Sequence, residues 1–152
     1  MNKIIIISLV LIFFSCKYEE KNIVLSNQNW IEYDSKDSIP KQFFQVLKAI
    51  NGDEKIADKD EAYEATDNIS DESIPTRQLK LLSKKNDQWR LVYEQGGIGT
   101  YNVYIECRIE KDSLFALKIA KTLLPIENND SITKFLKEKR IELKDIKVSN
   151  DN

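Results

Sequence analysis

From Arg77 onward, apolar and polar positions alternate with a period of two, which predicts strands. Leu79, Leu81 and Leu82 mark a first strand, ending at the turn signal Lys84-Lys85-Asn86-Asp87. Trp89, Leu91 and Tyr93 alternate with Arg90, Val92 and Glu94 in a second. Gly96-Gly97 turns the chain into a long third strand. There Tyr101, Val103, Ile105, Cys107 and Ile109 share an apolar face, opposite Asn102, Tyr104, Glu106, Arg108 and Glu110. A fourth strand places Phe115, Leu117 and Ile119 on its apolar side, with Leu114, Ala116, Lys118 and Ala120 opposite.

Ahead of the strands the period is helical. Phe43, Val46, Leu47 and Ile50 recur at spacings of 3 and 4 and predict a helix over 39–50. Asp37 or Ser38 is its expected cap, Pro40 lies in its first turn and Asn51-Gly52 ends it. Trp30, Ile31 and Tyr33 begin the apolar pattern as a short edge element. After the strands, Pro125 and Asn128-Asn129-Asp130 introduce a last helix with Asp130 as its cap and Ile132, Phe135 and Leu136 on one face. Ile141 and Leu143 fit either period, so 140–148 is a closing strand or more helix.

The expected fold is therefore α+β: an N-terminal helix packed on a four-stranded antiparallel meander sheet, with a C-terminal helix or strand. Residues 28–148 form the single domain and 149–152 a disordered tail. This order loosely resembles cystatin-like folds, a likeness of fold that carries no function.

Composition changes the picture in one place. Residues 51–72 hold nine carboxylates against Lys55 and Lys59, a local charge of −7, whereas the whole chain of 152 residues carries only −2. Few apolar residues occur there, which predicts a long connection with a helical turn near Asp60–Ala65. Asp53, Glu54, Asp58, Asp60 and Glu61 are its candidates for calcium or for docking a basic protein partner. The D-x-[DN]-x-[DN]-G spacing of a calcium loop is missing, so a solvated acidic loop is the simpler expectation. The near-neutral total offers no basic face for nucleic acid.

No histidine occurs, which removes the usual general base at neutral pH and the commonest metal ligand. Cys107 sits on the apolar phase of its strand and reads as an inert core thiol. Gly96-Gly97-Ile98-Gly99 lies between two strands, as a hairpin turn does; a phosphate cradle would open a helix. Tyr104, Glu106 and Arg108 share the polar face of the third strand and form a candidate ligand face. No catalytic residues, cofactor or metal ligands are assigned.

The first sixteen residues, MNKIIIISLVLIFFSC, carry one cation at Lys3, an apolar run from Ile4 to Phe14 and a small residue before Cys16. That run is too short to span a bilayer, which takes about 20 residues, and is built as a secretory signal. With Ser15-Cys16 at its end it resembles a bacterial lipoprotein signal of the looser Bacteroidota type, although Phe13 and Phe14 depart from the common pattern. The resemblance implies removal of 1–15, acylation of Cys16 and a lipidated tether over 16–27. Lys17-Tyr18-Glu19-Glu20 resembles the acidic cluster of surface-displayed members, and Lys17 after the Cys fits the outer membrane.

The expected protein is thus a lipid-anchored lipoprotein of the cell envelope, periplasm-facing or surface-exposed. It acts as a non-catalytic binding module whose partners are the membrane and an envelope protein. The alternatives are a small carboxylate-based envelope enzyme, with or without calcium, and a structural accessory of an outer-membrane assembly.

Overall fold

The computed structural model describes residues 29–66, 71 and 73–147. The signal, Cys16, the tether to Gln28, Asp67, Glu72 and the tail 149–152 lie outside the described residues. The chain runs β1 (Ile31–Tyr33), α1 (Lys41–Asn51), β2 (Arg77–Lys85), β3 (Gln88–Gln95), β4 (Tyr101–Glu110), β5 (Ser113–Thr122), α2 (Asn129–Lys137) and β6 (Lys144–Asp145). No helix among the described residues is long and apolar enough to cross a membrane.

The expected four-stranded sheet is overturned. Six strands make one antiparallel sheet in the order β1-β2-β3-β4-β5-β6, and strand dominates over helix. The added strands are the three-residue β1 and the two-residue β6, one at each edge. Such short edges offer little unpaired backbone to a neighbouring chain. The sheet is also buried on both faces, which a one-sided apolar pattern does not foresee. One cluster joins Phe43, Val46 and Leu47 of α1 to Leu79, Leu82, Leu91, Tyr93, Val103, Ile105 and Cys107. A second, on the opposite face, joins Ile132 and Phe135 of α2 to Leu81, Val92, Tyr104 and Ala120, with Ile126 and Ile141 beside them.

Two bulges decide which residues face which cluster. Between Leu79 and Leu81 the register of β2 against β3 shifts by one residue. Leu79 and Leu82 therefore reach the first cluster and Leu81 the second. The register of β4 against β5 shifts again between Glu106 and Arg108, where Ala116 on β5 has φ 50°. The extra residue puts Leu114 inside at 9% exposure and turns Phe115 out to 43%, the reverse of the strict alternation expected for this strand.

The helices are short and hold their shape by packing. α1 starts after Pro40 with no side-chain cap, because Asp37 and Ser38 form a separate 3-10 turn that Ser35 caps. It ends at Gly52 in the left-handed region, φ 84°. Eleven residues make a marginal helix alone. Burying Phe43, Val46 and Leu47 contributes about 2 kcal/mol each, which outweighs propensity. In α2 the cap is Asn128, one residue ahead of the range and two before the expected Asp130; its Oδ1 accepts from the Ser131 N–H at 2.9 Å. Asp130 lies in the first turn, where its charge suits the helix dipole.

Residues 53–66 form an extended strap along β2, with no helical turn at Asp60–Ala65. Ala57 bridges Gln78 in parallel: its N–H donates to the Arg77 carbonyl and its own carbonyl accepts from Leu79 N–H, both at 2.9 Å. Farther along, Gly97 N–H donates to the Ala65 carbonyl at 3.2 Å. Gly96 is required by close approach: a Cβ there would collide with the Glu64 carbonyl and stand 2.8 Å from Ala65 Cα. The backbone that crowds this glycine is the chain's own.

Candidate functional site

Adjacent strands bring one polar position from each into register on the α2 face. Glu32 stands opposite Ser83, Ser83 opposite Arg90, Arg90 opposite Glu106, Glu106 opposite Lys118 and Lys118 opposite Asp145. The row crosses all six strands with charges that alternate in sign around Ser83. Cross-strand neighbours on one face lie close enough to interact, so this ordering stabilises the register as well as solvating it.

The middle of the row is buried and closed by α2. Arg90 is 8% exposed and Asn129 7%, and Ser83 is fully buried. Ser83 Oγ donates to Asn129 Oδ1 at 2.9 Å, and Arg90 Nη1 donates to the same oxygen at 3.3 Å. Asn129 Nδ2 donates to Glu32 Oε1 at 2.8 Å, so β1 is tied to α2 through one amide. Arg90 Nε donates to Glu106 Oε2 at 3.2 Å, and the Tyr104 hydroxyl donates to that same oxygen. A buried arginine without a counter-charge would be costly; here Glu106 supplies the charge and Asn129 the acceptor. The Arg90 guanidinium also lies over the Trp30 ring, 3.9 Å from its centroid.

Beside this network a cleft of about 650 Å³ opens between β1 and the start of α2, lined by Trp30, Glu32, Lys85, Asn129, Asp130 and Thr133. Glu32 and Asn129 therefore belong to both the buried network and the cleft wall. The lining, completed by Asn29 and Asn128, offers an indole, two carboxylates, an ammonium, three amides and a hydroxyl, which is hydrogen-bonding and aromatic chemistry for a polar ligand.

Of the residues expected to form a ligand face, Tyr104 and Glu106 meet in the buried network and Arg108 lies apart. Tyr104 is fully buried in the second cluster, not displayed on a polar surface. Burial, reinforced by Glu106, raises its hydroxyl far above the ordinary range. Glu106 is committed to Arg90 and Tyr104. Arg108 lies outside, pairing with Asp87 at 3.0 Å and with Glu110. Cys107 is buried, which raises its thiol to about 12, with a smaller push from Glu106.

The acidic candidates are largely occupied within the chain. Asp53 accepts from buried Arg77, whose Nη1 also donates to the Asp53 carbonyl at 3.0 Å. Arg77 Nε is buried without a partner among the described residues. Asp58 accepts from the Lys36 N–H, and Glu61 takes the Lys36 ammonium and the Asp58 N–H. The Lys36 hydrogen bond holds the Glu61 carboxyl below its usual range. Glu54 and Asp60 are exposed. Among the described residues no group of three or more ligating side chains gathers around a metal-sized position. Three of its carboxylates, Asp53, Asp58 and Glu61, fasten the strap to Arg77 and Lys36.

Glu32, Ser83, Arg90 and Asn129 carry no site expectation from the sequence, and Trp30, an aromatic that could line a pocket, reads there more simply as packing. Their signal was weak: Ser83 and Arg90 are polar positions inside strands, and a polar phase reads as solvent-facing until a second helix is known to cover it. No protein-family model matches the chain, and no curated protein or solved structure matches it.

Proposed function

We propose that this protein is a non-catalytic binding module of the cell envelope, anchored by acyl chains on Cys16, which receives its partner in the cleft between β1 and α2. The observation that carries the binding part is the convergence of β1, β2, β3 and α2 on Asn129. That amide fixes one wall of the cleft, and a wall held in advance spares the ordering cost of association. The Ser15-Cys16 ending of the signal supports the anchor, and with it a partner among envelope components.

Site-directed photocrosslinking in intact envelopes tests the reading. A photoreactive residue at Lys85, on the cleft rim, should give one discrete adduct, whereas the same residue at exposed Lys48 on α1 should give none. No adduct at Lys85, or the same adducts at both positions, contradicts the assignment of the cleft.

A further inference from the structure

We infer that the α1-side surface of the β1 edge rests on the anionic headgroup layer of the bilayer that holds the protein's own acyl chains. In register across three strands stand Ile31, Lys84 and Trp89. Ile31 is 61% exposed although it is a large apolar residue in a strand. Trp89 is stacked on Tyr33, ring centroids 5.7 Å apart, and Lys84 Nζ lies 5.0 Å from the Trp89 centroid. Lys84 and Lys85 also line a shallow cavity of about 450 Å³ with Ile31 and Tyr33. Aromatic rings with an apolar body and a polar edge, flanked by lysines whose stems lie along them, are the side chains that settle at a headgroup boundary.

The chain itself favours this occupant. Twelve residues separate Cys16 from Asn29, a reach of at most about 45 Å. They enter the domain directly at β1, so the bilayer has its highest effective concentration beside Ile31. The more exposed Ile98 and Leu123 belong to the opposite end of the sheet, at the β3–β4 turn and just past β5. Ile31 is in register, through Lys84 and Trp89, with Cys107, and the six residues from there to Tyr101 put that end about 20 Å away. Lys84 matches an anionic lipid, and its attraction falls off within a Debye length.

The inference rests on the lipid-anchor reading, and one experiment separates the two. Full-length mature lipoprotein, with Trp30→Phe so that only Trp89 emits, is reconstituted into phosphatidylcholine–phosphatidylglycerol vesicles with or without brominated acyl chains. Flotation reports the anchor; Trp89 emission reports the face. Loss of emission in the brominated vesicles, smaller without phosphatidylglycerol and abolished by Ile31→Asp with Lys84→Glu, supports the inference. Protein that floats with the vesicles but keeps its Trp89 emission overturns it, including when the chain's own N-terminal segment covers Ile31. Equal loss with and without phosphatidylglycerol overturns the headgroup charge match. Protein that fails to float contradicts the anchor, and the inference falls with it. Should the double variant misfold, the comparison of brominated and plain vesicles decides alone.

Discussion

Arg90 and Trp30 are stacked, the guanidinium carbon 3.9 Å from the indole centroid, while Arg90 Nε holds Glu106 at 3.2 Å. A cation from β3 thus supports the aromatic residue at the entrance to β1, and β1 forms one wall of the cleft. Arg90→Ala should leave Glu106 without its cation and Asn129 with one donor fewer, at a cost of about 3 kcal/mol. Arg108→Ala, which removes a half-exposed cation two residues further along the neighbouring strand, should cost less than about 1 kcal/mol. Urea denaturation of both variants checks the contrast.

The strap predicts a difference between adjacent glycines. Gly96→Ala drives a methyl into the Glu64–Ala65 backbone, which must lift away from the sheet. At Gly97, φ 124°, an added Cβ meets nothing within 4 Å, so Gly97→Ala carries only backbone strain of about 1 kcal/mol. Hydrogen exchange should show faster exchange at Gly97 N–H, which bonds the Ala65 carbonyl, in the Gly96→Ala protein.

Alkaline pH should destabilise the domain through groups whose protonated forms the fold protects. Burial pushes Cys107 up to about 12, and burial together with Glu94 pushes Tyr63 up to about 12. In the unfolded chain these groups lose protons near 8.5 and about 10. Their stabilisation is therefore complete below about pH 8 and is lost as pH rises towards 12. A pH series of denaturation midpoints checks this. The same protection predicts that Cys107 resists a thiol reagent at pH 8 until denaturant is added.

The bulge at Ala116 sets which of two neighbouring side chains matters. Leu114→Ala should cost about 2–3 kcal/mol, because Leu114 is in the core cluster. Phe115→Ala, although it deletes more atoms, should cost less than about 1 kcal/mol at its exposed position. Thermal melts of the pair check the register.

The alternation of Trp89, Leu91 and Tyr93, and of Tyr101 through Ile109, located the long strands, because one face of each meets α1 in a single unbroken phase. The size of the sheet was not legible. β1 and β6 are too short to show a period, and their pairing depends on partners distant in sequence. The second core was hidden for the same reason: Val92, Tyr104 and Ala120 occupy the phase that a half-buried sheet exposes. Bulges at Lys80 and Ala116 carry no glycine or proline to announce them. The acidic segment showed its charge but not its partners, since Lys36 and Arg77 meet Glu61 and Asp53 only in the fold. Of the cleft, Trp30 was visible as an aromatic residue, whereas Asn129 looked like turn chemistry.

The anchor at Cys16 is the claim on which the envelope reading and the bilayer contact depend, and lipid labelling tests it most directly. Cells expressing the full chain are fed radiolabelled palmitate, and the protein is followed in membrane and soluble fractions. The account predicts a labelled, membrane-bound protein that becomes unlabelled and soluble on Cys16→Ala. A Cys16→Ala protein that still carries label, or stays with the membrane, contradicts it.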